Sequence, residues 1–138
     1  MSPDERVGYF ARWSSTTNYD ILVATRGSLG DAFGPAESLS FNGSAWDFSP
    51  TVTSDGSVLY FESSRSGLWK IYQSRWDPAA ETFGPVELTP EASDPTGTHH
   101  DGGPYVIPSG DALYFHTTRL GDRSLIAEAR LTGAASGG

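Results

Sequence analysis

The chain repeats itself about every fifty residues. Tyr9-Phe10, Tyr60-Phe61 and Tyr114-Phe115 lie 51 and 54 residues apart, and Phe33-Gly34-Pro35 returns as Phe83-Gly84-Pro85 after 50. At an offset of 54, Asp47, Pro50, Val52, Gly56, Leu59, Tyr60, Phe61, Arg65 and Gly67 recur as Asp101, Pro104, Val106, Gly110, Leu113, Tyr114, Phe115, Arg119 and Gly121. One inserted residue then aligns Ile71 with Ile126, and an adjustment the other way aligns it with Ile21. A period of roughly 40 to 50 residues restricts the fold to propeller blades or arrays of helices, because each repeat must be one supersecondary unit that stacks on its neighbours.

Local signals choose between the two. Pro50 to Thr53 reads as a short strand closed by the turn Ser54-Asp55-Gly56; Val58 to Ser63 as an apolar strand; Trp69 to Arg75 as a third; Pro85 to Leu88 as a fourth. Four short strands per repeat make a blade. No window free of Gly and Pro sustains a 3.6-residue period, so helical repeats are excluded. The second strand is apolar on both faces, as a strand packed between two neighbours must be. Leu59, Phe61, Ile71, Leu113, Phe115 and Ile126 are the expected core. The Phe-Gly-Pro triplets read as turns into the outermost strand, with the Gly supplying an unusual backbone angle.

The expectation is therefore an all-β fold of β-propeller blades, four antiparallel strands each, in an incomplete ring of about two and a half blades. Residues 1–131 form the partial propeller, in units of roughly 1–45, 46–99 and 100–131, and 132–138 a flexible tail of Gly, Ala, Ser and Thr. No propeller closes with fewer than about four blades. The chain is thus expected either to form a homo-oligomer that closes a ring or to belong to a longer protein.

Composition removes several functions. The 138 residues suit one domain, and 12% aromatic residues supply a core that disordered chains lack. A net charge of −8, with nine scattered basic residues, excludes nucleic acid and anionic membrane surfaces as partners. No apolar run is long enough for a membrane span. With no Cys there is neither disulfide nor thiol chemistry. Met1 to Arg6 has no basic n-region and no apolar h-region, so no signal peptide is expected in this stretch.

Asp47-x-x-Pro50-x-Val52-x-Ser54-Asp55-Gly56-x-x-Leu59-Tyr60-Phe61-x-Ser63-Ser64-Arg65-x-Gly67, followed by Ile71-Tyr72, resembles the WD40-like PD40 repeat of TolB-type β-propellers. The third unit is similar from Asp101 to Ile126, with Ser109-Gly110 in place of the Asp-Gly turn, and the first keeps Tyr9-Phe10 and Asp20-Ile21. The resemblance implies a propeller that serves as a binding platform or as the accessory domain of a peptidase; it permits a periplasmic or exported location without fixing one.

The residues themselves offer little catalytic chemistry. There is no Gly-x-Ser-x-Gly and no Ser with His and Asp partners marked out by spacing. His99-His100-Asp101 is the densest group of ligand types, but neighbours on an extended segment point to opposite sides, so no metal is expected, and no cofactor. His116 reads as a polar position between packed blades. Asp47 and Asp101 could supply a glycosidase's carboxylates. Against that, Arg65 and Arg119 each follow 18 residues later, and the first unit lacks both the Asp segment and the Arg. Structural pairs Asp47–Arg65 and Asp101–Arg119 follow, which hold the carboxylates ionised. Trp13, Trp69 and Trp76 read as blade packing, whereas Trp46 lies in the long loop Ser40 to Ser49, and His100 is its counterpart in Pro90 to Gly103. The expected function is a non-catalytic scaffold that binds protein, peptide or glycan through rim loops carrying Trp46, Asp47, His99, His100 and Asp101. The alternative is the propeller portion of a hydrolase acting on glycans or peptides.

Overall fold

Short apolar runs punctuated by Gly turns leave the backbone no regular partner except a neighbouring strand. The computed structural model describes residues 6–13, 19–39, 45–93, 99–118 and 125–131, and in them there are eleven strands and no helix. The strands form three antiparallel blades in chain order. Blade 1 holds β1 (Val7–Trp13), β2 (Tyr19–Thr25) and β3 (Glu37–Ser38); blade 3 holds β9 (Asp101–Val106), β10 (Ala112–Thr117) and β11 (Leu125–Arg130). Blade 2 is β4 (Asp47–Val52), β5 (Val58–Ser63) and β6 (Lys70–Asp77), with two-residue strands β7 (Thr82–Phe83) and β8 (Glu87–Leu88) both pairing β6. Arg119 and the tail 132–138 lie outside the described residues.

The two-sided apolar strand behaves as its sequence requires. From β5, Val58 and Tyr60 point toward blade 3 and join Ile71, Val106, Leu113 and Phe115; Leu59 and Phe61 point the other way and meet Ile21, Tyr72 and Phe83. Alternation along one strand thus builds both joints of the stack. Leu59, Phe61, Ile71, Leu113 and Phe115 are buried as expected, but Ile126 is not: it is 78% exposed. Its register is the expected one, since Ile126 pairs with His116 just as Ile71 pairs with Glu62. What Ile126 lacks is a described blade to cover it.

Both complete inner strands begin earlier than the sequence suggests, at Asp47 rather than Pro50, because each carries a bulge. Ser49 (φ 54°) precedes Pro50, and Gly103 (φ 57°) precedes Pro104, with a register shift at each site. The Glu62 carboxylate clamps the two bulges together, accepting from Ser49 Oγ at 2.6 Å and from the Gly103 N–H at 3.2 Å. A Cβ on Gly103 would stand 2.8 Å from the ring of the exposed His116, which would have to turn aside, whereas the matching bulge carries Ser49 at nearly the same backbone angle. Gly34 and Gly84 do not adopt the unusual angle expected of them. Their N–H groups instead donate to the carbonyls of Thr25 and Arg75 at 2.8 Å, anchoring each outer segment by a plain backbone bond.

The turn at Asp55 shows how local chemistry fixes the strand ends. Asp55 Oδ1 accepts from Thr53 Oγ1 at 2.7 Å and from the backbone and hydroxyl of Ser57 at 3.0 and 2.6 Å. The Ser57 hydroxyl, then Thr53 and the Ser57 N–H, hold this carboxyl down at about 2. The folded pKa lies below the unfolded value of about 3.9, so the turn's contribution is present above that pH and lost as pH falls through about 2. Solvent screens so open a site, and Asp55→Ala is expected to cost about 1 kcal/mol at pH 7 and almost nothing near pH 2, measured by urea unfolding at both.

Candidate functional site: an aromatic rim

One end of the stack collects the turns between second and third strands and the loops that lead from blade to blade. Trp46, before β4, donates its N–H to Ser64 Oγ at 3.0 Å, and the Ser64 N–H returns to the Trp46 carbonyl at 3.0 Å. The same reciprocal bond recurs 54 residues on, where the His100 N–H donates to Thr118 Oγ1 at 2.9 Å and the Thr118 N–H to the His100 carbonyl at 3.0 Å. Trp46 and His100 therefore hold equivalent places in geometry as in sequence.

Five aromatic side chains run across this end. Trp13 closes β1 and meets Trp46 edge to face at 5.7 Å; Tyr19, opening β2, touches both, at 5.1 Å from Trp13 and 5.7 Å from Trp46. Phe48 stands 4.4 Å from Tyr19 and 5.6 Å from Trp69. Edge-to-face contacts lock large rings into one arrangement without covering them. Trp13 remains 51% exposed and Trp46 40%. Trp13 and Trp76, expected between blades, are thus on the surface, Trp76 at 41% against Phe83. His116 is exposed, on the face of blade 3 that it shares with its register partner Ile126, where no described blade stands.

Beneath the rings lie the two aspartates, each the first residue of an inner strand and each fully buried. Arg65 Nη2 donates to Asp47 Oδ1 at 3.1 Å, its Nε donates to Ser63 Oγ at 2.9 Å, and its guanidinium lies over Phe61 and Tyr72 at 5.3 and 5.2 Å. Burial pushes the Asp47 carboxyl above the ordinary range despite the pull of Ser63 and Arg65, and the nearby Asp20 charge adds to the rise. The pairing alone therefore does not hold Asp47 strongly ionised, as the sequence argument had it. Asp101 accepts from Ser93 Oγ at 3.0 Å, with Lys70 Nζ 3.9 Å and His99 Nε2 3.4 Å away on the same oxygen. Its expected partner Arg119 is outside the described residues.

These placements separate the sequence-derived candidates. Trp46 faces solvent; Asp47 and Asp101 do not; His99 is half-buried and turned toward Asp101. His100 is exposed, but its Nδ1 accepts from the Trp69 N–H at 3.1 Å, which leaves Nε2 as the protonated nitrogen when the ring is neutral. Sequence reasoning missed Tyr19 and Phe48, and Lys70, whose ammonium is buried and donates to the His99 carbonyl at 2.7 Å. No group of three or more His, Asp or Glu side chains among the described residues is placed to hold a metal ion. A groove of about 530 Å³ runs between β4 and β9, lined by Pro50, Thr51, Val52, Pro104, Tyr105 and small neighbours, with no carboxylate or imidazole among its lining residues.

No family model and no curated protein matches the sequence. Among solved structures, a protein described as TolB from Agrobacterium tumefaciens is similar over 97% of this chain, with a TM-score of 0.70 and 18% identity. The chain spans 42% of the length of that protein. The likeness establishes the fold, a stretch of TolB-like β-propeller.

Proposed function

We propose that this chain is a non-catalytic binding module that contacts a protein, peptide or glycan partner through its aromatic rim. The observation that carries the reading is the fixed, half-exposed pair Trp13 and Trp46, backed by Tyr19 and Phe48. Large rings immobilised before a ligand arrives bind without an ordering cost, and such residues dominate binding energetics. The buried, partnered state of Asp47 and Asp101 and the uncharged groove between β4 and β9 support a platform over a hydrolase. Further blades are expected to complete the ring. His99 and His100 act in this reading through the rim's shape: His100 ties the loop to Trp69.

The test is an array of oligosaccharides and peptides probed with the 138-residue chain and with Trp13→Ala, Trp46→Ala and the double variant. Each single change is expected to weaken the best ligand about tenfold or more, and the double change to abolish binding, with melting temperatures within a few degrees of the parent. Equal binding by the double variant would remove the rim. Turnover in a glycosidase and peptidase screen that disappears in Asp47→Asn or Asp101→Asn, without unfolding, would replace the platform with an enzyme.

A further inference from the structure

The two joints inside the chain differ by one charge. Between blades 2 and 3, Lys70 opens the third strand of its blade and brings its ammonium 3.9 Å from Oδ2 of Asp101, the first residue of the next inner strand. The His99 carbonyl accepts from the same ammonium at 2.7 Å. Between blades 1 and 2 the aspartate recurs as Asp47, and the place of Lys70 is held by Asp20, which precedes Ile21 as Lys70 precedes Ile71. The strand pairing agrees, since Asp20 stands opposite Arg12 and Lys70 opposite Ser63, at the same offset as the two Tyr-Phe pairs. A cation in one joint is thus an anion in the other. An aspartate side chain is also shorter than a lysine's, so Asp20 does not span the distance that Lys70 covers.

Asp47 carries the consequence. It is fully buried, its Oδ1 takes the Arg65 guanidinium at 3.1 Å, and its Oδ2 is buried with no hydrogen-bond partner among the described residues. Burial pushes this carboxyl up, and the Asp20 charge adds to the rise. A buried carboxylate oxygen without a donor destabilises the site until a donor arrives. Two rings flank the place: Tyr19 precedes Asp20, Trp46 precedes Asp47, and their centroids lie 5.7 Å apart. Aromatic faces attract cations.

The geometry points to a site for a cationic side chain of the partner, in which the ε-ammonium of a peptide lysine passes Trp46 and Tyr19 and rests between Asp20 and Asp47 Oδ2, where the next joint has Lys70. The site rests on the rim reading above and narrows its partner to a lysine-bearing peptide or protein. Asp20 is only half-buried, which gives a cation its way in from solvent. A net charge of −8 draws such a partner at longer range. A neutral glycan brings no charge to answer the two carboxylates.

The probes are the pentapeptide Gly-Gly-Lys-Gly-Gly and its norleucine counterpart, titrated into the 138-residue chain with tryptophan fluorescence as the readout. The lysine probe is expected to bind about tenfold or more tighter than the norleucine probe, and to lose most of that advantage in Asp20→Asn. Asp31→Asn, the same loss of charge at an exposed side chain beyond the far end of β2, is expected to retain it. Asp20→Lys supplies the ammonium from within the chain, as blade 2 does for blade 3. It is expected to abolish the preference for lysine and to raise the melting temperature by a few degrees. A parent chain that treats the two probes alike, an Asp20→Lys chain that keeps the preference, or equal loss in Asp31→Asn would overturn the site. Array ligands without a positive charge report the rim alone, so their binding through Trp13 and Trp46 would stand even if the two probes were indistinguishable.

Discussion

Lys70→Met is expected to lower the unfolding free energy at pH 7 by about 3 to 4 kcal/mol, the cost of removing one member of a buried ionic group. Lys70 is 2% exposed, Asp101 is 0% exposed, and the ammonium joins two blades by donating to the His99 carbonyl at 2.7 Å while standing 3.9 Å from Asp101 Oδ2. Methionine keeps most of the apolar stem and fills a similar volume, so the loss reports the charge and its hydrogen bond instead of a cavity. The backbone beside it reinforces the same seam, since the Asp101 N–H donates to the Trp69 carbonyl at 2.8 Å. Urea unfolding with an unchanged slope would measure the effect, and a loss below about 1 kcal/mol would show that Lys70 is merely tolerated there. Lys70→Met combined with Asp101→Asn is expected to cost less than the sum of the single changes by about 1 to 3 kcal/mol, because the two groups answer the same charge.

The repeat was legible because it is written in residues whose roles are local. The turn glycines Gly56 and Gly110 take φ values of 76° and 80°, and the bulges before Pro50 and Pro104 match at the same offset. Each is fixed within a few residues of chain. Ile126 marks the limit of that logic: periodicity gives the side of the strand, while burial depends on whether another blade stands on that side. Lys70 was invisible for a different reason. Its counterpart in blade 1 is Asp20, so the repeat supplies no matching signal, and its partners, the His99 carbonyl and Asp101, reach it from the neighbouring blade. The aromatic rim failed to show in the same way, since Trp13, Tyr19, Trp46 and Phe48 gather from two blades at spacings that follow no period.

Arg65→Ala is expected to cost about 3 kcal/mol at pH 7 and about 1 kcal/mol near pH 4, and the pH dependence identifies the mechanism. Arg65 keeps 26% of its side chain exposed while Asp47 keeps none, so the arginine can regain water on losing its partner and the aspartate cannot. The Asp47 carboxyl already lies above its ordinary range because it is buried. A raised carboxyl pKa means that the stability associated with the group is complete below the unfolded value of about 3.9 and drains away as pH rises through the folded value. Removing Arg65 removes one of the influences that hold this pKa down, together with the hydrogen bond at 3.1 Å, so the drain becomes deeper and extends to higher pH. What remains near pH 4 is the part that does not titrate, namely the guanidinium's contact with the Phe61 and Tyr72 rings and its bond to Ser63 Oγ. Asp47→Asn, which leaves a neutral group where the buried charge was, is expected to cost less at pH 7 than Arg65→Ala. Unfolding curves at several values between pH 4 and 8 decide the matter: a gap between parent and Arg65→Ala that stays constant across that window would assign Arg65 to packing alone and leave Ser63 as the group that holds Asp47.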